Sequence, residues 1–284
     1  FEESRISRDI NKSEREKRLE EVDAYSVNID FSKNMGEKNK LFYGVEAVSN
    51  EVSSFGTNDD VSTGITVPGP SRYPQATWAS YAAYLSAQFH LTNKLLMQTG
   101  VRYNAFVLDA EFDTTFYPFP FTTAKLNNGS TTGSLGFKFN PTEKWSFSLN
   151  ASTGFRAPNV DDVGKIFDSE PGTVVVPNPN LEAEYAYNID FGIAKVFGDA
   201  VKVDATAFYT LLDNAMVRRS FLLNGLDSIV YDGTLSQVQA IQNAAVAHVY
   251  GVQAGIEVKL HSDFSITSRI NYQVGEEELE DGST

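Results

Sequence analysis

Alternation of apolar and polar side chains at every second position constrains this chain more than any other feature. Between Lys144 and Phe155 the odd positions are Trp145, Phe147, Leu149, Ala151, Thr153 and Phe155. The even ones are Lys144, Ser146, Ser148, Asn150, Ser152 and Gly154. From Val201 to Leu211 the same rhythm sets Val201, Val203, Ala205, Ala207, Tyr209 and Leu211 against Lys202, Asp204, Thr206, Phe208 and Thr210. It returns where Tyr250, Val252, Ala254, Ile256, Val258 and Leu260 oppose Gly251, Gln253, Gly255, Glu257 and Lys259. Successive side chains of a strand point to opposite faces, so each stretch is a two-faced strand. Weaker versions run through residues 25–31, 41–47, 79–89, 95–107, 135–139, 185–193 and 264–274. With a fragment at the start, about eleven strands result.

The connections fall into two alternating kinds. Short ones lie near Asn34-Met35-Gly36-Glu37, Leu91-Thr92-Asn93, Pro141-Thr142-Glu143, Phe197-Gly198-Asp199 and His261-Ser262-Asp263, all rich in turn formers. Long ones occupy roughly 53–76, 113–131, 156–182 and 220–243. Long and short loops therefore fall at opposite ends of the sheet. That asymmetry, with strands holding their alternation for ten or more residues, predicts an all-β fold: an antiparallel transmembrane β-barrel in a bacterial outer membrane, its short turns toward the periplasm. Phe31, Phe89, Phe139, Trp145, Phe197 and Phe264 each lie within a few residues of a short turn, as an interfacial aromatic girdle requires. A soluble β-sandwich also alternates, but its strands are usually about 5 to 6 residues long.

Composition agrees with this reading. No apolar run approaches the roughly 18 residues of a spanning helix, whereas barrel strands leave the average hydropathy unremarkable. Absence of cysteine closes disulfide, zinc-thiolate and thiol-nucleophile chemistry, and a net charge of −14 argues against binding nucleic acid. The chain opens FEESRISRD, without a signal peptide, and reads as an interior segment of a longer protein.

Two boxes stand at the ends of successive strands: Thr153-Gly154-Phe155-Arg156-Ala157-Pro158-Asn159 and, after a loop, Asn178-Pro179-Asn180-Leu181-Glu182-Ala183-Glu184. Supporting pieces are Tyr43-Gly44-Val45-Glu46, Phe208-Tyr209 through Leu212-Asp213-Asn214, and Tyr250-Gly251-Val252 through Glu257. In these boxes and their order the chain resembles the TonB-dependent outer-membrane receptors over essentially its whole length. The resemblance implies a 22-stranded barrel around an amino-terminal plug domain. Residues 1–284 would be about half of that wall, a partial receptor barrel without the plug, the energy-coupling segment or the closing strands. The acidic stretch Gly275-Glu276-Glu277-Glu278-Leu279-Glu280-Asp281 reads as a further external loop.

By the same resemblance, the function expected is energy-coupled uptake of a scarce solute, an iron chelate (siderophore) foremost, with haem or cobalamin behind it. The partners are that solute, outer-membrane lipid and the TonB complex acting through the segment not in this chain, and no cofactor is implied. The alternative is a passive porin or another non-enzymatic barrel. Catalysis is not expected, because none of His90, His248 and His261 has an evident acid/base partner. Residues 159–177 contain no histidine of the kind haem-uptake members typically place between the two boxes. The bland reading of the boxes is structural: Pro158 lacks an amide donor and stops a strand, and Pro177 and Pro179 restrain the chain before it re-enters the wall. Candidate ligand residues in the external loops are Arg72, Tyr73, Tyr117 beside Phe119, Arg156, Lys165, Arg218, Arg219 and Tyr231, which suit a flat, anionic or aromatic ligand. The spacing of Asp161, Asp162, Asp168 and Glu170 fits no standard cation loop, and no metal site is expected.

Overall fold

The computed structural model describes residues 2–117, 119–164, 167–170, 172–231, 233–261 and 264–278. Its strands are β1 (Glu2–Asp9), β2 (Glu14–Met35), β3 (Asn39–Asp60), β4 (Ile65–Gly69), β5 (Gln75–His90), β6 (Leu95–Glu111), β7 (Thr123–Thr142) and β8 (Trp145–Arg156). After one helical turn, α1 (Val160–Gly164), come β9 (Phe167–Glu170), β10 (Thr173–Val175), β11 (Glu184–Phe197), β12 (Val201–Ser220), β13 (Ser228–Tyr231), β14 (Thr234–His261) and β15 (Phe264–Glu278). Among the described residues eleven strands form one antiparallel wall in chain order, β1-β2-β3-β5-β6-β7-β8-β11-β12-β14-β15. The wall is part of a barrel and does not close on itself.

Register aligns the greasy positions into rows. Phe31 pairs with Tyr43, Tyr43 with Leu85 and Leu85 with Val101. Further along, Leu149, Phe191, Ala207, Val252 and Tyr272 are cross-strand partners in succession. Val27, Ile29, Val45, Ile189, Val252 and Ile270 on this face are exposed, which suits contact with lipid. The opposite face is a polar lattice. Tyr84 donates to Asp30 across 2.6 Å, Arg102 to Glu46 across 2.6 Å and Asn104 to Ser80 across 2.6 Å. Asn150 donates to Asp190 across 2.8 Å. Gly44 belongs to this lattice, since a Cβ there would stand 2.7 Å from the Tyr84 ring.

Aromatics mark both edges of the lipid band. At the periplasmic edge Phe31 stacks on Tyr43 (5.2 Å) and Trp145 on Phe147 (5.7 Å). Tyr187, Tyr209, Tyr250 and Tyr272 line the outer edge. The stretch Trp145 to Phe155 of β8, eleven residues with every second one outward, matches the span of about 9 to 11 residues that a tilted barrel strand needs.

The tight turns at residues 36–38, 91–94, 143–144 and 198–200 occupy one end, with Gly36 and Gly198 at positive φ (73° and 59°). Longer connections, 61–74, 112–122, 157–183 and 221–233, occupy the other. Three of the four are shorter than the alternation predicts, because β3, β7 and β14 continue past the membrane. There the outward face meets water and carries ion pairs in place of apolar residues: Arg15 with Asp9 (2.5 Å), Lys17 with Asp59 (2.5 Å) and Lys125 with Asp109 (2.7 Å). For the same reason residues 275–278 remain in β15, where a loop was expected, and 279–281 lie outside the described residues.

The core sits on the inward face beneath the 157–183 connection. Leu108, Ala110, Ala124 and Leu126 from the wall pack with Val160, Val163 and Leu181 from that connection. Val174 and Val176 pack with Leu223, Val238 and Ala240. Full burial of one Leu or Val side chain contributes about 1.5–3 kcal/mol. This segment is therefore a packed cap over the inner face.

Candidate functional site at the extracellular mouth

The cap begins where β8 stops. Arg156 is its last residue and Pro158, fully buried, cannot extend the ladder. Arg156 then turns back: its Nη2 donates to Asp162 Oδ1 across 2.6 Å, its Nη1 lies 3.6 Å from Glu184 Oε1, and Nη1 also meets Met216 Sδ at 3.8 Å. Asn159 and Asp162 cap α1 reciprocally. The Asp162 amide donates to Asn159 Oδ1 (3.0 Å) and the Asn159 amide to Asp162 Oδ2 (3.1 Å).

The second box is held as firmly. Asn178 donates its side-chain amide to the Ile241 carbonyl (2.8 Å) and its backbone N–H to the Val163 carbonyl (3.0 Å), while Pro177 and Leu181 are buried. Asn178 Oδ1 receives the Asn180 amide at 3.1 Å, and Pro179 lies between them in the same turn. Between the boxes β10 pairs in parallel with β14, Thr173 opposite Gln237. Phe155, Arg156, Ala157, Pro158, Asn178, Pro179, Asn180 and Leu181 thus sit at the seams between cap and wall.

Beside the cap lies a shallow cleft lined by Arg72, Tyr73, Asp113, Phe116, Tyr117 and Phe119 among others. Tyr73 donates to Asp161 Oδ1 across 2.7 Å, and burial together with this carboxylate raises its phenol above the usual range. The Arg72 guanidinium stands 5.5 Å from the Tyr73 ring centroid. Tyr117 stacks on Tyr231 (5.8 Å) and lies 6.0 Å from Phe119, which stacks on Phe121 (5.7 Å). Four of the residues expected from sequence, Arg72, Tyr73, Tyr117 and Tyr231, therefore meet in one cationic and aromatic neighbourhood. Phe119, expected beside Tyr117, lies there too; Phe116 and Asp113 join them, and the signal for Phe116 is the dense aromatic run Phe112 to Phe121.

Arg156 opens on a neighbouring hollow with Tyr73, Trp78, Asn159 and Asp161. Arg218 and Arg219 stand apart from the cleft, on β12 above a bulge after Leu212, and being consecutive they point to opposite faces. Arg219 pairs with Glu277 at 2.5 Å. Lys165 lies outside the described residues, as do the side chains of Asp168 and Glu170. Among the described residues no group of three or more His, Cys, Asp or Glu could hold a metal. His90 belongs to the periplasmic end, and His248 faces outward, bonded to the Tyr209 hydroxyl at 2.7 Å.

Sequence comparison decides the family, since the model for the TonB dependent receptor-like β-barrel matches residues 4–283. The chain belongs to the TonB-dependent receptors. It is accordingly a bacterial outer-membrane protein, and its fold matches solved receptors of this family. Against the copper transporter OprC the TM-score is 0.69 at 14% identity, covering 93% of this chain and 38% of that one. Against the ferric yersiniabactin uptake receptor FyuA of Yersinia pestis it is 0.63 at 17% identity, covering 94% and 37%. A curated relative, the hemoglobin-haptoglobin utilization protein B of Neisseria meningitidis, is 32% identical over 124 residues, 39% of this chain and 15% of that protein. This TonB-dependent receptor segment thus spans well under half the length of the proteins it matches.

Proposed function

We propose that this barrel segment forms the substrate-facing wall of a receptor that takes up a scarce metal chelate across the outer membrane, an iron chelate (siderophore) first, using energy passed through TonB. The observation that carries this reading is the convergence of Arg72, Tyr73, Tyr117 and Tyr231 at the extracellular mouth, beside a cap that folds over the inner face. A guanidinium next to stacked phenols offers charge-assisted bonds to an anionic chelate and a flat surface for its rings. Similar structures include a receptor for ferric yersiniabactin, an iron transporter, FrpB of Neisseria meningitidis, and the copper transporter OprC, which supports a metal as the cargo. In this reading the plug, the TonB-contacting segment and the remaining strands belong to other parts of the full-length protein.

Haem is the second reading, favoured by the partial match to a hemoglobin-haptoglobin utilization protein and by a TM-score of 0.65 to the hemophore receptor HasR of Serratia marcescens. Against it, none of the three histidines in the sequence lies in a long external connection. Binding of ferric siderophores, haem and cobalamin to the full-length receptor, read by intrinsic fluorescence quenching, tests the order. Tight binding of a ferric chelate with no haem binding is the expected result. Binding of haem or cobalamin alone overturns it.

A further inference from the structure

On the outward face of the wall, from its outer aromatic edge down to the short turns, the described strands carry two charged side chains, Lys33 and Lys195. Every other outward position in that band is apolar or uncharged at neutral pH, from Tyr25 on β2 through Val274 on β15. Both lysines lie at the periplasmic end. Lys33 follows Phe31 by two residues, and Lys195 precedes Phe197 by two. A cation on a lipid-facing surface is costly unless it reaches the interface, so this one-sided placement has a physical meaning.

Lys195 is the more constructed of the two. Its cross-strand partners are Trp145 on β8 and Val203 on β12, and neither offers a counter-charge. The Lys195 Nζ stands 4.4 Å from the Trp145 ring centroid and 4.4 Å from that of Phe197. Two rings therefore hold one ammonium between them. An ammonium has three N–H donors, and ring faces attract its charge without replacing an anionic acceptor. Outward from Lys195 lies the headgroup layer of the periplasmic leaflet, where the abundant anion is the phospholipid phosphate.

We propose that Lys195, clamped by Trp145 and Phe197, is a binding site for the phosphate of an anionic phospholipid in the periplasmic leaflet. The rings fix the ammonium at headgroup depth, and the outward apolar row of Ile193, Phe191 and Ile189 receives the acyl chains. The site is independent of the solute cleft, which lies at the opposite end of the strands.

The test uses the full-length receptor in phosphatidylcholine nanodiscs, titrated with phosphatidylglycerol and read by native mass spectrometry of retained lipid. One surface lysine contributes about 1 kcal/mol to anionic lipid binding, so Lys195→Met is expected to lower retention about fivefold. Lys195→Arg should retain most of it. Lys202→Met, whose side chain faces inward, should leave it unchanged. Diacylglycerol, which lacks the phosphate, should not compete. Equal retention by the wild type and Lys195→Met, with both showing the same heat-modifiable mobility, overturns the proposal. So does displacement of the lipid by about 10 mM inorganic phosphate, which would make this a free-anion site.

Discussion

Arg156 and Asp162 lock the first box to the helix that follows it, with guanidinium and carboxylate 2.6 Å apart and the Asp162 side chain only 6% exposed. Arg156→Ala would leave that carboxylate in a dry setting with its helix-capping bonds alone, a loss of roughly 1–3 kcal/mol. We expect the 157–183 cap to loosen while the wall stays intact. Hydrogen exchange on the full-length receptor should show faster exchange at Val163 and Asn178 and unchanged exchange in β8. Uniform loss of protection across the sheet would show that the pair instead holds the wall.

Arg72→Ala and Tyr117→Ala each remove one side of the cleft at the mouth. A cation–π or stacking contact contributes on the order of 1–2 kcal/mol when desolvated, so each should weaken binding of an anionic iron chelate by roughly 5- to 30-fold. Arg218→Ala with Arg219→Ala should weaken uptake of an anionic ligand too, and normal uptake by that double variant would remove these two arginines from the ligand path. Growth on the chelate under iron limitation reads both sets.

The Asp60 carboxylate, at the tip between β3 and β4, is held down to about 2 by hydrogen bonds from Ser62 and Thr63. Its folded pKa lies below the unfolded one, so its contribution is present above the ordinary carboxylate range and is lost as pH falls toward 2. The Ser62 and Thr63 amides should therefore lose protection, measured against the intrinsic exchange rate at each pH, as the medium is acidified below about pH 4. Asp60→Ala should abolish that dependence.

Gly44 lies under the Tyr84 ring, and its missing side chain leaves room for the Tyr84–Asp30 bond. Gly44→Val should displace the tyrosine and lower barrel stability by about 1–3 kcal/mol. The thermal midpoint for loss of heat-modifiable mobility checks this, and Tyr84→Ala in the same background should recover part of the loss.

The lipid-spanning part of the wall was legible because its physics is local. A strand between lipid and a polar interior must alternate, and Trp145–Phe155 or Tyr250–Leu260 shows it residue by residue. Above the membrane that demand lapses. Residues 14–23 lie outside the alternating stretch 25–31 although they are the upper part of β2, and β14 starts at Thr234, within the connection expected at 220–243. The cleft was legible as a list of residue types and not as a place. Tyr73 and Asp161 meet from 88 positions apart, which no spacing rule announces. The bulge after Leu212, which determines how Arg218 and Arg219 point, leaves no mark that the alternation below it can extrapolate.

The pairing of β10 with β14 also constrains the order in which the molecule can be made. β10 can fold back on β9 early, but its parallel ladder with β14, Thr173 opposite Gln237, must wait until Gln237 has been synthesised and threaded, and the same edge of β14 is taken lower down by β15. Closing so long a segment carries an entropic cost that local hairpins avoid. The two boxes must therefore wait, tethered at β8 and β11, while β12 and β14 are laid down beside them. The mouth of this receptor is a late event in its biogenesis, and a chain arrested before β14 would display a membrane wall with an unlatched top.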